Sequence, residues 1–340
     1  MKCTRCKAPA MIALPGHNAA FCPDCFLDFF ERQVEKGIKE GCGYRAPQMT
    51  AADDIAANCA ETPAGAAEVD AATRAGHSNQ VSPPLFTREE RVLVALSGGK
   101  DSLALMLVLA RLGYQVTGLH IDLAIGESSR QARAIVESFC GKHGLDLQVA
   151  EMAAEGLPIP RVKEKLKRPI CSACGKIKRH YFNKAALEGK YDALATGHNL
   201  DDEIARLFSN ILRWDASYLG EQGPLLYAEN GFARKVKPLW RLGEYETASY
   251  AFLMGIDHHT MPCPFSKGAS FNIHKRVWAD LEQAMPGKKL NFYLEFLEKG
   301  RRHFTEACHA TEQSLAPCER CGYPTSSGVC GVCRIKEIVR

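Results

Sequence analysis

From residue 91 onward, hydrophobic positions gather into short runs that alternate with longer amphipathic stretches. Arg91 to Leu96 reads as an apolar strand, followed by a polar turn, Ser97-Gly98-Gly99-Lys100-Asp101-Ser102, and an apolar helix through Ala110. Gln115–Asp122 predicts a second strand, Glu127–His143 a helix and Leu145–Met152 a third strand. A basic loop then leads into a helix from about Cys171 to Leu187. Tyr191–Thr196 forms a fourth strand, and Gly197-His198-Asn199-Leu200-Asp201-Asp202-Glu203 opens a helix to about Leu212. Strands and helices alternating at this spacing predict an α/β fold with a doubly wound parallel sheet. Ligands of such sheets sit beyond the carboxyl ends of the strands, so residues 97–99 and Gly197 point at one crevice. After residue 213 the pattern weakens; helices are expected over about 244–254, 272–285 and 290–304, with a rigid Pro262-Cys263-Pro264-Phe265 turn after the first.

The two ends of the chain follow a different rule. Cys3-x-x-Cys6 and Cys22-x-x-Cys25 flank a gap holding Pro15, Gly16 and Asn18; Cys318-x-x-Cys321 and Cys330-x-x-Cys333 flank one holding Gly322, Pro324 and Gly328. Two thiolate pairs brought together by a hairpin make a tetrahedral site suited to Zn²⁺. A helical segment, Phe26–Ile38, should pack an aromatic face on the first knuckle. Between about residues 46 and 84, Ala, Asp, Glu, Ser and Pro dominate, too little apolar surface to offset ordering entropy, so a flexible linker is expected, with short helical pieces around 51–60. The expected division is a zinc module at 1–42, a linker at 43–85, the catalytic domain at 86–287, and a helical segment with a zinc ribbon at 288–340. Cys42 and Cys59 lack a pairing spacing and read as incidental thiols.

Composition narrows the setting. A net charge of +4 is mild, so nucleic-acid affinity must come from local patches. No apolar run approaches the ~18 residues of a membrane span, and the start is cysteine-rich instead of a basic-then-apolar leader, so a cytoplasmic protein is expected. Fifteen cysteines in such a chain point to metal instead of a disulfide framework.

The 97–102 turn suits a phosphate. Gly98 and Gly99 allow close backbone approach, the next helix presents unpaired N–H groups and its positive dipole end, and Lys100, Ser97 and Ser102 add donors. It is not a Walker A loop, whose Gly-x-x-x-x-Gly-Lys-Ser/Thr pattern is absent. Among the cysteines left over, Cys171-x-x-Cys174 and the proline-flanked Cys263 stand out. Three such thiols could ligate three irons of a [4Fe–4S] cluster, or carry and resolve a persulfide; Cys171 and Cys174 with His180 could instead form a third zinc site. Nine Lys or Arg against the single acid Glu164 lie between Arg161 and Lys184, bracketing these thiols and suggesting RNA contact. Lys178, one turn beyond Cys174, could hold phosphates, and Asp202 could act as a base or Mg²⁺ ligand, with helix capping the alternative for Asp201 and Asp202. His258 and His259 show no partner and read as structural or exposed.

Taken together, these residues resemble a known family. Ser97–Ser102 is similar to the SGGxDS loop of the PP-loop ATP pyrophosphatases, which adenylate a carbonyl and release pyrophosphate. With Cys171, Cys174 and Cys263, the 197–202 segment and both cysteine modules, the chain resembles the TtuA-type (TtcA-related) tRNA 2-thiolation enzymes. The resemblance implies an oxygen-sensitive [4Fe–4S] cluster on the three cysteines and catalytic roles for Lys178 and Asp202. It also implies ATP contacts from the turn, from His120 and Ile121, and from Gly197. The cysteine modules at both ends point to the branch that thiolates a uridine or methyluridine, whereas TtcA proper acts on cytidine. ATP adenylates the uridine O2 in this reading, with Mg²⁺ and Lys100 neutralising phosphate charge, and sulfur then displaces AMP. The implied partners are tRNA and a sulfur donor, either a ubiquitin-like thiocarboxylate protein or sulfide, within a homodimer. The Ala-rich insertion is longer than the family's usual connection. Nitrogen transfer by a PP-loop enzyme, a persulfide route without a cluster, and a non-catalytic zinc-ribbon RNA-binding protein are the competing readings.

Overall fold

The structure is a computed structural model, and it describes residues 1–41, 83–167, 169–265, 271–304 and 315–340. Most of the expected linker, with Cys42 and Cys59, lies outside the described residues.

The centre is a six-stranded sheet built from β3 (Arg91–Leu96), β4 (Gln115–Asp122), β5 (Leu147–Glu151), β6 (Ala193–Thr196), β7 (Leu225–Leu226) and β8 (Lys235–Val236), in the order β5-β4-β3-β6-β8-β7. All neighbours run parallel except β7, which closes the edge antiparallel to β8. The chain winds outward from β3 through β4 to β5 and then crosses to β6, so the direction of winding reverses between β3 and β6. That switch point is where an open α/β sheet leaves a crevice. The helix that follows β3, α2 (Lys100–Arg111), is buried without interruption from Ser102 to Leu109. Such an all-round apolar helix has to occupy the middle of the core.

The remaining helices cover the two faces. α2 and α3 (Gly126–His143) pack on the face bearing Val92, Val94 and Leu96, while α5 (Ile170–Glu188) packs on the face bearing Leu93, Leu119 and Leu194. The stretch read from sequence as a basic loop contains a short helix, α4 (Ile159–Lys165), because Ile159 and Val162 are buried against α5. α6 (Leu200–Ile211), α7 (Ala216–Glu221), α8 (Glu244–Leu253), α9 (Phe271–Ala284) and α10 (Lys288–Glu295) complete the body.

Each cysteine module docks on this body. The N-terminal hairpin of β1 (Ile12–Leu14) and β2 (Ala19–Phe21) leads into α1 (Pro23–Glu40). Phe30 of α1 stacks on Tyr250 of α8 at 4.1 Å, and Trp240 Nε1 donates to the Gly37 carbonyl at 3.1 Å. At the other end, β9 (Ala316–Pro317), β10 (Pro324–Thr325) and α11 (Gly331–Val339) share one core with α4 and α5, including Val162, Ala173, Ile177, Val332 and Ile335. Lys336 Nζ and Tyr181 Oη both reach the Glu155 carboxylate, at 2.8 and 2.7 Å. The module therefore buttresses the helix that carries Cys171 and Cys174.

Candidate functional site

The crevice at the switch point is a cavity of about 670 Å³. One wall is the 97–102 turn. Gly98 holds a left-handed φ of +84°, which a side chain disfavours, and a Cβ there would meet Ala132 at 3.2 Å. Ser102 Oγ donates to the Gly99 carbonyl at 2.9 Å, and Gly99 N–H donates to Ser97 Oγ at 3.3 Å, so the hydroxyls brace the turn ahead of the helix N-terminus. Gly197, at the end of β6, sits so close that a Cβ would lie 2.8 Å from the Ser102 backbone nitrogen. Only glycine lets the two strand ends converge.

The opposite wall comes from α5 and from the segment after α8. Cys171, Cys174, Gly175, Lys178 and Phe182 form one face of α5, at helical spacing, and all five line the cavity. Cys263 and Phe265 line it from the later segment, and Cys171 Sγ lies 3.5 Å from the Phe265 carbonyl. Burial pushes the Cys174 thiol up, Lys178 opposes this, and the neighbouring Cys263 and Cys171 reinforce it. His259, read as structural or exposed, also lines the cavity, and its backbone N–H donates to the Gly98 carbonyl at 2.8 Å. The segment that brings Cys263 is thus tied directly to the phosphate-type turn.

His120 and Ile121, at the end of β4, line the same space. His120 is buried, with Nδ1 2.9 Å from the Leu96 carbonyl. A carbonyl only accepts, so Nδ1 carries the proton and Nε2 is left as an acceptor, and burial keeps the ring neutral. That Nε2 is buried with no partner.

Charge is concentrated where α2 and α6 begin. Asn199 Oδ1 accepts from the Asp202 N–H and the Asp202 carboxylate accepts from the Asn199 N–H, both at 3.2 Å, a reciprocal cap. Asn199 Nδ2 also donates to Asp101 at 3.2 Å. Asp202 additionally lines the cavity and pairs with Lys275 at 2.6 Å, so it is more than a cap. Asp201 is engaged structurally, by Lys289 at 2.6 Å and the Glu244 N–H at 2.7 Å. Glu244 bridges Lys100 at 3.2 Å and Lys275 at 3.5 Å. Lys100, expected to face phosphate, is turned to Asp101 and Glu244, and neither it nor Gly98 is among the lining residues. Glu244 and Lys275 escaped the sequence reading because neither stands in a motif; only the fold brings them to Asp202.

Three cysteine sets differ in how their sulfurs fit a metal. In each terminal set the four sulfurs lie within 4.8 Å of one another, with Cys6–Cys22 at 3.6 Å and Cys321–Cys330 at 3.7 Å. Tetrahedral Zn–S bonds of ~2.3 Å require sulfurs about 3.8 Å apart, so Cys3, Cys6, Cys22 and Cys25, and Cys318, Cys321, Cys330 and Cys333, fit one such ion each. Against the desolvation of burial, backbone N–H groups pull Cys3 and Cys318 down to about 6, favouring the ligand thiolate. Among the described residues only these two sets converge so tightly. Cys171, Cys174 and Cys263 share a cavity without closing to one-ion spacing, which suits a larger group held by three thiolates. His180 does not join them: its ring packs tilted against Tyr323 at 4.5 Å inside the α5 and C-terminal core, which removes it as a fourth ligand of a third zinc site.

Comparison with known proteins fits this arrangement. A family described as "PP-loop domain" matches residues 71–257, and one described as "2-thiouridine synthetase TtuA, N-terminal LIM domain" matches residues 2–27. The tRNA-5-methyluridine(54) 2-sulfurtransferase of Thermus thermophilus is 37% identical over all of this chain and 92% of its own length. The enzyme of the same name from Thermotoga maritima is 34% identical, over all of this chain and 97% of its own. That of Pyrococcus horikoshii is 33% identical, over 98% of this chain and 93% of its own. Among solved structures, the U34-tRNA thiolase NcsA of Methanococcus maripaludis, determined with its [4Fe-4S] cluster, shares the fold with a TM-score of 0.68 at 21% identity, covering 99% of this chain and 96% of that one. The chain belongs to the PP-loop family and, within it, to the tRNA 2-sulfurtransferases that the Thermus, Thermotoga and Pyrococcus proteins represent.

Proposed function

We propose that the protein uses ATP to adenylate O2 of a tRNA uridine and replaces that oxygen with sulfur, giving 2-thiouridine or its 5-methyl derivative. The observation that carries this reading is the single cavity lined both by the Ser97–Ser102 turn and by Cys171, Cys174 and Cys263. An activating site and a sulfur site within one crevice let the second step follow the first on the same nucleotide.

In this reading the turn and the α2 N-terminus hold the ATP phosphates, and the His120 and Ile121 end of β4 holds the nucleoside. Lys178 reaches from α5 toward the phosphates, while Asp101 and Asp202 offer carboxylates for Mg²⁺. Uridine O2 attacks the α-phosphorus, the bond to the bridging oxygen breaks, and pyrophosphate leaves. Sulfur then attacks C2, and AMP departs with the former O2. Lys178 and Asp202 orient the base and manage its proton. A [4Fe–4S] cluster held by Cys171, Cys174 and Cys263 would leave one iron without a protein ligand, a place for a sulfide-level donor. That sulfur comes from a ubiquitin-like thiocarboxylate protein or from free sulfide, and Zn²⁺ in the two terminal sites holds the modules folded. The same reading puts the enzyme in the cytoplasm as a homodimer. Among the described residues, no helix is long and apolar enough to cross a membrane.

The test is nucleoside mass spectrometry of tRNA treated anaerobically with the protein, ATP, Mg²⁺ and sulfide. The reading expects a 2-thiolated uridine that disappears when ATP is omitted. A product that forms equally without ATP, or a nitrogen-containing product, would refute it.

A further inference from the structure

The basic run between Arg161 and Lys184 does not act as one surface. Lys178 faces the cavity, and Lys163 lies over the Phe265 ring at 4.4 Å beside the Cys263 segment. Lys176 and Arg179 occupy the neighbouring face of α5, three residues apart, and Asn183 continues that face one turn later. Asn183 is buried and grips the loop between β7 and β8, accepting from Ala233 N–H at 2.8 Å and donating to the Gly231 carbonyl at 3.2 Å. Gly231 has a φ of +81°, and a Cβ there would meet Pro324 of the C-terminal module at 2.8 Å. Three segments far apart in sequence are therefore locked together.

The consequence is a cluster of cations without acids. Lys235, at the end of this loop, is half-buried, and burial, then Arg179 and then Lys237, push its ammonium down. Lys237 is matched by Glu203 at 2.8 Å. Among the described residues no carboxylate lies within ion-pair distance of Lys235, Arg179 or Lys176. Like charges gathered on a rigid scaffold cost free energy that an anion would offset. Two half-exposed rings stand among them: Lys235 lies over Phe232 at 5.5 Å, and Phe232 meets Tyr323 edge-on at 5.6 Å. Cations that bind phosphates, interleaved with aromatic rings, are the recurring pattern of an RNA-binding surface.

We infer that Lys176, Arg179 and Lys235, with Phe232 and Tyr323, form a ridge along α5 that grips the sugar–phosphate backbone of the RNA substrate. The inference rests on the tRNA reading above and deepens it by naming the docking surface. It joins α5, the β7–β8 loop and the C-terminal module, which explains why that module is braced against the cysteine-bearing helix. The cavity face of α5, which includes Lys178, adjoins the ridge face on the same helix.

The experiment measures tRNA binding by the full-length protein across a salt series. Arg179→Gln with Lys235→Met should weaken binding about tenfold or more near 0.1 M salt and make the log–log salt slope shallower by about 1.4–1.8, roughly 0.7–0.9 per lost phosphate contact. Lys235→Arg should hold wild-type affinity, and so should Lys142→Gln on α3 across the sheet. Arg179 is exposed, so Arg179→Gln alone keeps the fold and should flatten the slope by about 1. Variants that bind tRNA with wild-type affinity and slope would overturn the ridge while leaving the tRNA reading intact, as would loss of affinity only for an acidic protein. A wild-type protein that binds no tRNA would overturn both.

Discussion

The terminal cysteine sets and the cavity set use the same side chain to opposite ends. At each terminus four sulfurs converge within 4.8 Å, brought together by short hairpins and helix starts that the local sequence specifies. In the cavity, two sulfurs come from one face of α5 and the third from a proline-flanked turn ninety residues later, and the space around them stays open. A closed four-ligand site has satisfied its metal and can only hold structure, whereas a three-ligand site facing a cavity leaves room for a reactant. In the proposed reading, the number of thiols and the openness of the space, not cysteine identity, divide scaffold from chemistry.

The comparison can be broken most severely at the cavity. Cys171→Ala, Cys174→Ala and Cys263→Ala should each abolish thiolation of tRNA while ATP binding, followed by titration, persists. Cys330→Ala should act differently: one lost ligand opens the C-terminal site, lowers the melting temperature and loosens α5, with a partial loss of activity that follows the unfolded fraction. Next in size is a pH effect on the same module. His180 is held down to about 4 by burial and then by Lys336 and Lys184, against an ordinary value of 6.5. The unfolded chain therefore binds the proton first, so this contribution is present above pH 6.5 and is lost as pH falls toward 4. At ~1.36 kcal/mol per unit this is worth about 3 kcal/mol, and denaturant midpoints of a His180→Gln variant should lose that part of the slope between pH 6.5 and 4. The smallest effect is expected from Asn199→Ala, which removes the α6 cap and the bond to Asp101. A cap is worth about 1 kcal/mol, so thermal melting should shift by a few degrees, with a weaker apparent Mg²⁺-ATP affinity.

What sequence made legible follows from the range of the interactions. The strand–turn–helix at 91–111 and the strand at Gln115–Asp122 were readable because apolar runs and glycines act locally. The cysteine modules were readable from spacing alone. Two-residue strands such as Leu225–Leu226 carry no periodicity, and they were missed, as was α4, whose few apolar residues sit among lysines. In the site, the cavity-lining face of α5 followed from helical spacing. Long-range partners did not: Lys275 on Asp202, His259 on Gly98, and the C-terminal module on α5 depend on segments that only the finished fold brings together. Lys100 shows the same limit from the other side. Its place in the turn suggests phosphate, and the fold adds a distant carboxylate, Glu244, beside its neighbour Asp101.

The most direct measurement is iron and zinc analysis of protein prepared without air, on wild type and on Cys263→Ala. The account predicts about four irons and about two zincs per chain in the wild type, with iron lost and zinc retained in the variant. Iron that survives the loss of Cys263, or a wild type with a third zinc and no iron, would contradict it.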